Sequence, residues 1–180
     1  MMMLKQIEEA KNNKHLLEIY RDLSDVGKFK AGGVLNANEE YTILADISAD
    51  GLYDGFSLIL TENIFQINKN TRYLKNLEIL YEAKKQNHFR YDVENEDLIQ
   101  GFFEVAKKQE FVVIVEISEE ATIQGLVKSI EDDIVVLSAL TNDGVLDGET
   151  YVKKEDITCI VCDNQEANCL KILYSKISKE

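Results

Sequence analysis

Two pairs of aspartates are the residues whose spacing most suggests chemistry. Asp50 and Asp54 stand in Asp50-Gly51-Leu52-Tyr53-Asp54-Gly55, and Asp143 and Asp147 stand in Asp143-Gly144-Val145-Leu146-Asp147-Gly148. Paired carboxylates on a tight loop can hold Ca²⁺ or serve as acid and base. A calcium loop supplies more oxygen ligands, typically with a distal Glu, and this loop is short. Asp before Gly is also ordinary turn chemistry: the side chain caps the loop and Gly takes a positive φ. The turn is the preferred reading, and the four aspartates stand as candidate ligand or turn residues.

Cys159-Ile160-Val161-Cys162 has the C-x-x-C spacing of a zinc knuckle, and only Cys169 could add a third thiolate. The pair falls in a predicted strand, where positions three apart point to opposite faces, so buried structural thiols are expected. His15 and His88 have no Ser or Cys near them in a nucleophile motif, and surface or linker positions are expected for both. Gly32-Gly33 belongs to neither a dinucleotide-binding nor a Walker pattern. The lysine pairs 84–85, 107–108 and 153–154 lack interleaved aromatic residues and read as solvated faces. No catalytic residue, metal ligand or cofactor is assigned from this inventory.

Acidic residues outnumber basic ones by 33 to 20, a net charge of −13. Such a field repels phosphate backbones and anionic lipid heads, so neither a nucleic acid nor a membrane is the expected partner. Solubility is the plain reading of the excess, and a basic protein partner is the sharper alternative. Residues 1–4 are apolar but are followed at once by Lys5, Glu8 and Glu9, no apolar run reaches spanning length, and the three cysteines are odd in number. These features point to the cytoplasm.

The elements that must position these residues come in duplicate. Sliding the chain by 93 residues lays Asp50 to Gly55 on Asp143 to Gly148, Glu62-Asn63-Ile64 on Glu155-Asp156-Ile157, and Leu77-Glu78-Ile79-Leu80-Tyr81 on Leu170-Lys171-Ile172-Leu173-Tyr174. Upstream, Gly32 and Val34 fall on Gly125 and Val127; before that, a one-residue slip aligns Asp22-Leu23-Ser24-Asp25 with Glu116-Ile117-Ser118-Glu119. The chain is therefore read as two tandem copies, 1–90 and 91–180, each with a modest core of its own. In the second copy Leu98, Ile99, Phe102, Phe103 and Ala106 predict a leading helix with Asn95 as N-cap. Strands follow at 111–117, 122–129, 134–140, 149–153 and 157–162, and Leu170, Leu173, Tyr174 and Ile177 mark a closing helix. The first copy repeats the order with strands at 28–35, 41–47, 56–60 and 64–68 and a helix at 73–85. Its first strand is ambiguous, because Leu16, Ile19, Tyr20 and Leu23 fit helix and strand alike, and the repeat favours strand. Residues 87–95 read as a polar linker. Gly32 and Gly125, each inside a strand pattern, predict matching bends of the second strand. Leu77, Leu80 and Tyr81, with Leu170, Leu173 and Tyr174, predict the packing stripes of the closing helices.

The run Val112-Val113-Ile114-Val115-Glu116-Ile117, then Gly125-Leu126-Val127, then the strand 134–140 resembles the first half of an Sm-like domain. The resemblance implies a mainly β fold with flanking helices: two tandem small, SH3-like, Sm-like bent β-barrels of about five strands. The RNA site of that family needs an Arg-Gly pair before the fifth strand, where the copies have Leu60-Thr61-Glu62-Asn63 and Lys153-Lys154-Glu155-Asp156. The function expected is a non-enzymatic binding or assembly module; the alternatives are single-stranded RNA binding and an enzyme whose site is not recognisable from sequence. Sm-like domains associate through their fourth and fifth strands. Here the apolar fourth strand of copy one (Phe56, Leu58, Leu60) and the apolar fifth strand of copy two (Ile160, Cys162) are the candidate interface, paired within the chain as a pseudo-dimer; the alternative is that strand 56–60 is covered by a helix or by a second chain, as in a homo-oligomer.

Overall fold

The structure, a computed structural model, describes residues 2–93, 96–118 and 121–177. It divides into two compact units, Met1–Tyr91 and Asp92–Glu180.

The first unit runs α1 (Met2–Asn13), β1 (Leu16–Tyr20), β2 (Phe29–Ala37), β3 (Tyr41–Ile47), β4 (Tyr53–Leu60), β5 (Gln66–Lys69) and α2 (Arg72–Ala83). Its antiparallel sheet has the order β5-β1-β2-β3-β4: a meander whose last strand returns to pair with the first. The second unit runs α3 (Leu98–Lys108), β6 (Val112–Ser118), β7 (Ala121–Ile130), β8 (Ile134–Leu140), β9 (Leu146–Lys153), β10 (Cys159–Cys162) and α4 (Gln165–Ile177). Its sheet, β10-β6-β7-β8-β9, has the same order. The ambiguous segment 16–20 is a strand, clamped on both sides by β2 and β5. Strands β4 and β9 begin earlier than their apolar runs, at Tyr53 and Leu146, because they absorb the second Asp-Gly of each motif.

The closing helices cover one face of each sheet. Leu74 and Leu77 of α2 pack with Ala31 and Ile47, while Ala167 and Leu170 of α4 pack with Val112, Ile114 and Leu140. Strand alternation sends Leu17 and Ile19, both wholly buried, to the opposite face. The leading helices lie along β2 and β7 and bury Ile7 and Ala10, and Phe102, Phe103 and Ala106. The predicted stripe needs one correction: Leu80 and Leu173 are 39% and 42% exposed. They sit over the β3–β4 and β8–β9 turns, one helical step away from the buried Leu77 and Leu170.

Caps repeat as well. Thr71 accepts from the Leu74 N–H, and Asn164 from that of Ala167. Lys14 and Glu110, at φ 56° and 54°, end α1 and α3 in matching Schellman turns: His15 N–H donates to Ala10 O and Phe111 N–H to Ala106 O. Asn95, the expected cap of α3, lies outside the described residues; the Asp97 side chain accepts from the Gln100 N–H.

Register corrects the alignment of the first third. Leu17 pairs with Gly32 as Val113 pairs with Gly125, so the offset there is 96, three more than the 93 of the rest, and not the single residue inferred from sequence. Asp22 to Asp25 lie in the β1–β2 loop and not opposite β6. Gly32 and Gly125 do hold equivalent places: a Cβ on either would meet a carbonyl oxygen of the next strand, Ala45 O at 2.2 Å and Ser138 O at 2.3 Å.

Candidate functional site

The two aspartate pairs resolve into one backbone device used twice. The first Asp-Gly of each closes a strand turn: Gly51 N–H donates to Ser48 O and Gly144 N–H to Thr141 O, with φ of 69° and 80°. Each glycine also lies against the closing helix, where a Cβ would sit 2.4 Å from the Leu80 Cβ or 2.6 Å from the Leu173 Cβ. The second Asp-Gly is a bulge. Asp54 and Gly55 together oppose Asp46, and Asp147 and Gly148 together oppose Ala139, the glycines at φ 73° and 79°. Asp50, Asp143 and Asp147 are exposed and Asp54 half-buried. The Thr141 hydroxyl donates to Asp143 and holds its carboxyl below the usual range. Among the described residues no group of three His, Cys, Asp or Glu is placed to hold a metal ion.

The segment read as a polar linker contains the boundary between the two units, and its first residues also supply an aromatic cluster. His88 stands half-buried, its ring centroid 4.5 Å from that of Tyr53 and 5.4 Å from that of Phe56, while Phe89 and Tyr91 lie 4.9 and 4.3 Å from Phe56. His88 is thus no surface residue. Its Nε2 is 2.8 Å from Asp46 O, which can only accept, so Nε2 carries a proton; Nδ1 shares a hydrogen bond of 2.6 Å with the Tyr81 hydroxyl. Burial pushes the Tyr81 hydroxyl above its ordinary pKa. Beneath lies Asp46, 4% exposed, with Lys30 Nζ at 3.0 Å and the Ser57 hydroxyl donating at 3.0 Å. Burial raises the Asp46 pKa against the opposing pull of Lys30 and Ser57. The histidine meets the Asp46 main chain and not its carboxylate, so Ser57, His88 and Asp46 do not form a nucleophile relay. His15 is exposed at the end of α1.

Other buried polar groups are ties between elements. Glu18 accepts from the Tyr20 hydroxyl, the Asn68 amide and the Thr71 hydroxyl, joining β1, β5 and the cap of α2. Lys154 is 7% exposed and donates to Gln100 Oε1 and to the carbonyls of Glu131 and Asp132. Its counterpart Thr61 donates to Asn38 O. Cys159 and Cys162 are buried in β10 and Cys169 is exposed, and none of the three is in a disulfide.

The interface candidates lie on edge strands of their own sheets. Phe56, Leu58, Ile160 and Cys162 are wholly buried and Leu60 half-buried. Strand β9 is the opposite case: an edge with Leu146 51% and Tyr151 66% exposed.

The second unit also contains a cleft of about 470 Å³ that sequence reasoning missed. Phe111, Leu126 and Tyr174 form its apolar part, and Lys107, Glu110 and Lys171 its charged margin. Lys171 Nζ stands 5.4 Å from the Phe111 ring centroid. The lining comes from the end of α3, β7 and α4, three segments far apart in sequence. No helix among the described residues is long and apolar enough to cross a membrane. No protein-family model matches the chain, and no curated protein or solved structure is similar enough to count as a match.

Proposed function

We propose that the chain is a non-enzymatic binding or assembly module of the cytoplasm, built from two tandem Sm-like bent barrels, that receives an extended basic segment of a protein partner at an exposed sheet edge. The carrying observation is the strand order, which returns the fifth strand to the first and leaves β9 as an edge with exposed side chains. Close approach at Gly32 and Gly125 and the Asp-Gly bulges supply the bending that a small barrel needs. An edge strand offers a row of main-chain donors and acceptors, and a peptide can add to it as a further strand. Glu149 and Lys153, with the Lys128–Glu149 ion pair and the bulge, discourage indiscriminate pairing while leaving Tyr151 as an anchor. The net charge of −13 favours a basic segment.

RNA binding has less support. Lys154, at the place of the family's missing Arg-Gly pair, commits its ammonium to acceptors inside the unit. The test is selection of basic peptides from a displayed library, followed by hydrogen exchange on the complex. Protection of amides in 146–153, lost with Tyr151→Lys, is expected. Binding with no protection at β9, or tight binding of single-stranded RNA whose affinity falls linearly in log–log salt plots, would overturn the reading.

A further inference from the structure

We propose that the cleft of the second unit is a binding site for a small amphipathic carboxylate, an apolar body ending in one carboxylate group. Its volume of about 470 Å³ lies within the range of small-molecule pockets, roughly 300–1,000 Å³. Phe111 and Tyr174 contribute aromatic side chains and Leu126 a branched aliphatic one to the lining that would meet the apolar body. The charge at the mouth is positive on balance, Lys107 and Lys171 against Glu110, in a chain whose net charge is −13. Lys171 is drawn back over the Phe111 ring, and among the described residues its hydrogen bond is a long one, 3.5 Å to Gln109 O. An ammonium carries three N–H donors, so an incoming carboxylate at this margin finds donors ready beside an apolar floor.

The duplication provides an internal control. In the first unit the residue at the place of Lys171 is Glu78, that of Leu126 is Gly33 and that of Phe111 is His15. The charge at the Lys171 position is reversed and two of the three apolar walls are gone, while Lys11 and Lys14 stand at the places of Lys107 and Glu110. Tyr81, at the place of Tyr174, gives its hydroxyl to His88, whereas Tyr174 lines the cleft. The common fold therefore does not require these cleft residues; the lysine, the leucine and the phenylalanine occur together in one copy only. This site is independent of the peptide edge at β9.

The test is an NMR titration of the full chain with phenylbutyrate, beside phenylbutyramide and phenylbutylamine as neutral and cationic counterparts of the same shape. Saturable shifts are expected at amides near Phe111, Leu126, Lys171 and Tyr174. The amide and the amine should bind at least about tenfold more weakly, the loss of one charge-assisted hydrogen bond. Lys171→Glu, which places the residue type of Glu78 at this position, should weaken phenylbutyrate about tenfold or more with an unchanged far-UV spectrum; Lys171→Gln gives the same direction should the charge reversal disturb folding. Equal affinity for the three compounds, shifts located elsewhere, no saturation at about 10 mM, or an unaffected affinity in a folded Lys171 variant would overturn the assignment.

Discussion

Replacing Gly32 by Ala should cost more than replacing Gly148 by Ala, although only Gly148 has a left-handed backbone. A Cβ on Gly32 would lie 2.2 Å from Ala45 O, 2.9 Å from Ala45 C and 3.2 Å from Asp46 Cα, where ordinary contact begins near 3.4 Å. All three are main-chain atoms of β3, so no side chain can swing aside. β3 would have to retreat by about an ångström, stretching ladders to β2 and β4 that pair Gly33 with Ala45 and Ala45 with Phe56. Asp46 would carry its contacts to Lys30, Ser57 and His88 along with it. Overpacking of a side chain against side chains costs about 1–3 kcal/mol, and a main-chain ladder yields less readily, so Gly32→Ala should cost about 3 kcal/mol or more. Gly148, at φ 79°, has nothing within 4 Å of an added Cβ, so Ala there meets only the backbone penalty of about 1–2 kcal/mol. Urea unfolding of the full chain by far-UV circular dichroism measures both. Hydrogen exchange of β3 amides assigns the loss to the first unit, since two units need not unfold in one step. A cost below about 1 kcal/mol for Gly32→Ala, or an equal cost for Gly148→Ala, would refute the reasoning.

Two further outcomes follow from burial. Leu77→Ala should cost about 2–5 kcal/mol and Leu80→Ala less than about 1 kcal/mol, since Leu77 is 1% and Leu80 39% exposed; equal losses in the same urea assay would contradict the packing. The raised pKa of Asp46 means that the folded state holds this proton to higher pH than the unfolded chain does, so its contribution is full below the ordinary aspartate range and is lost as pH rises through the folded value. The unfolding free energy of the wild type minus that of Asp46→Asn should therefore fall as pH rises above the ordinary aspartate range, and a rise would refute the assignment.

What could be read from the residues depended on the range of the interactions that fix them. Residues 112–115 are a β-branched run, legible as a strand without any partner. Residues 16–20 are not, since Leu16, Ile19 and Tyr20 satisfy a helical spacing; their strand state comes from β2 and β5, one of them some 50 residues away. The aspartate motif reads as a turn from its Asp-Gly pairs, but its second half is a bulge, and only the partner strand reveals two residues facing one. The aromatic cluster escaped because 87–91 belong to no regular element: His88, Phe89 and Tyr91 have no period to betray them, and what orders them is Phe56. The cleft had a signal, the contrast of Lys171 with Glu78, but its other half was hidden. A one-residue slip sets Phe111 against Leu17, and only the true offset of 96 shows His15 there.

That three-residue difference in offset also marks where the chain can be opened. It falls in the loop 21–28, bounded by the Tyr20–Phe29 pair, so both ladders continue undisturbed across the length change. The loop is organised from within: Asp22 Oδ1 accepts from the Ser24 N–H, the Ser24 hydroxyl and the Asp25 N–H, while Leu23 and Val26 are 70% and 64% exposed. Doubling such a loop adds only about 0.6 kcal/mol of closure entropy, a small loss beside the several kcal/mol that hold a small domain together. A fluorescent reporter, an affinity tag or a new set of termini grafted between Asp22 and Val26 would leave intact the strand pairing, the β9 edge and the cleft, and would be the natural attachment point for tracking this protein in a cell.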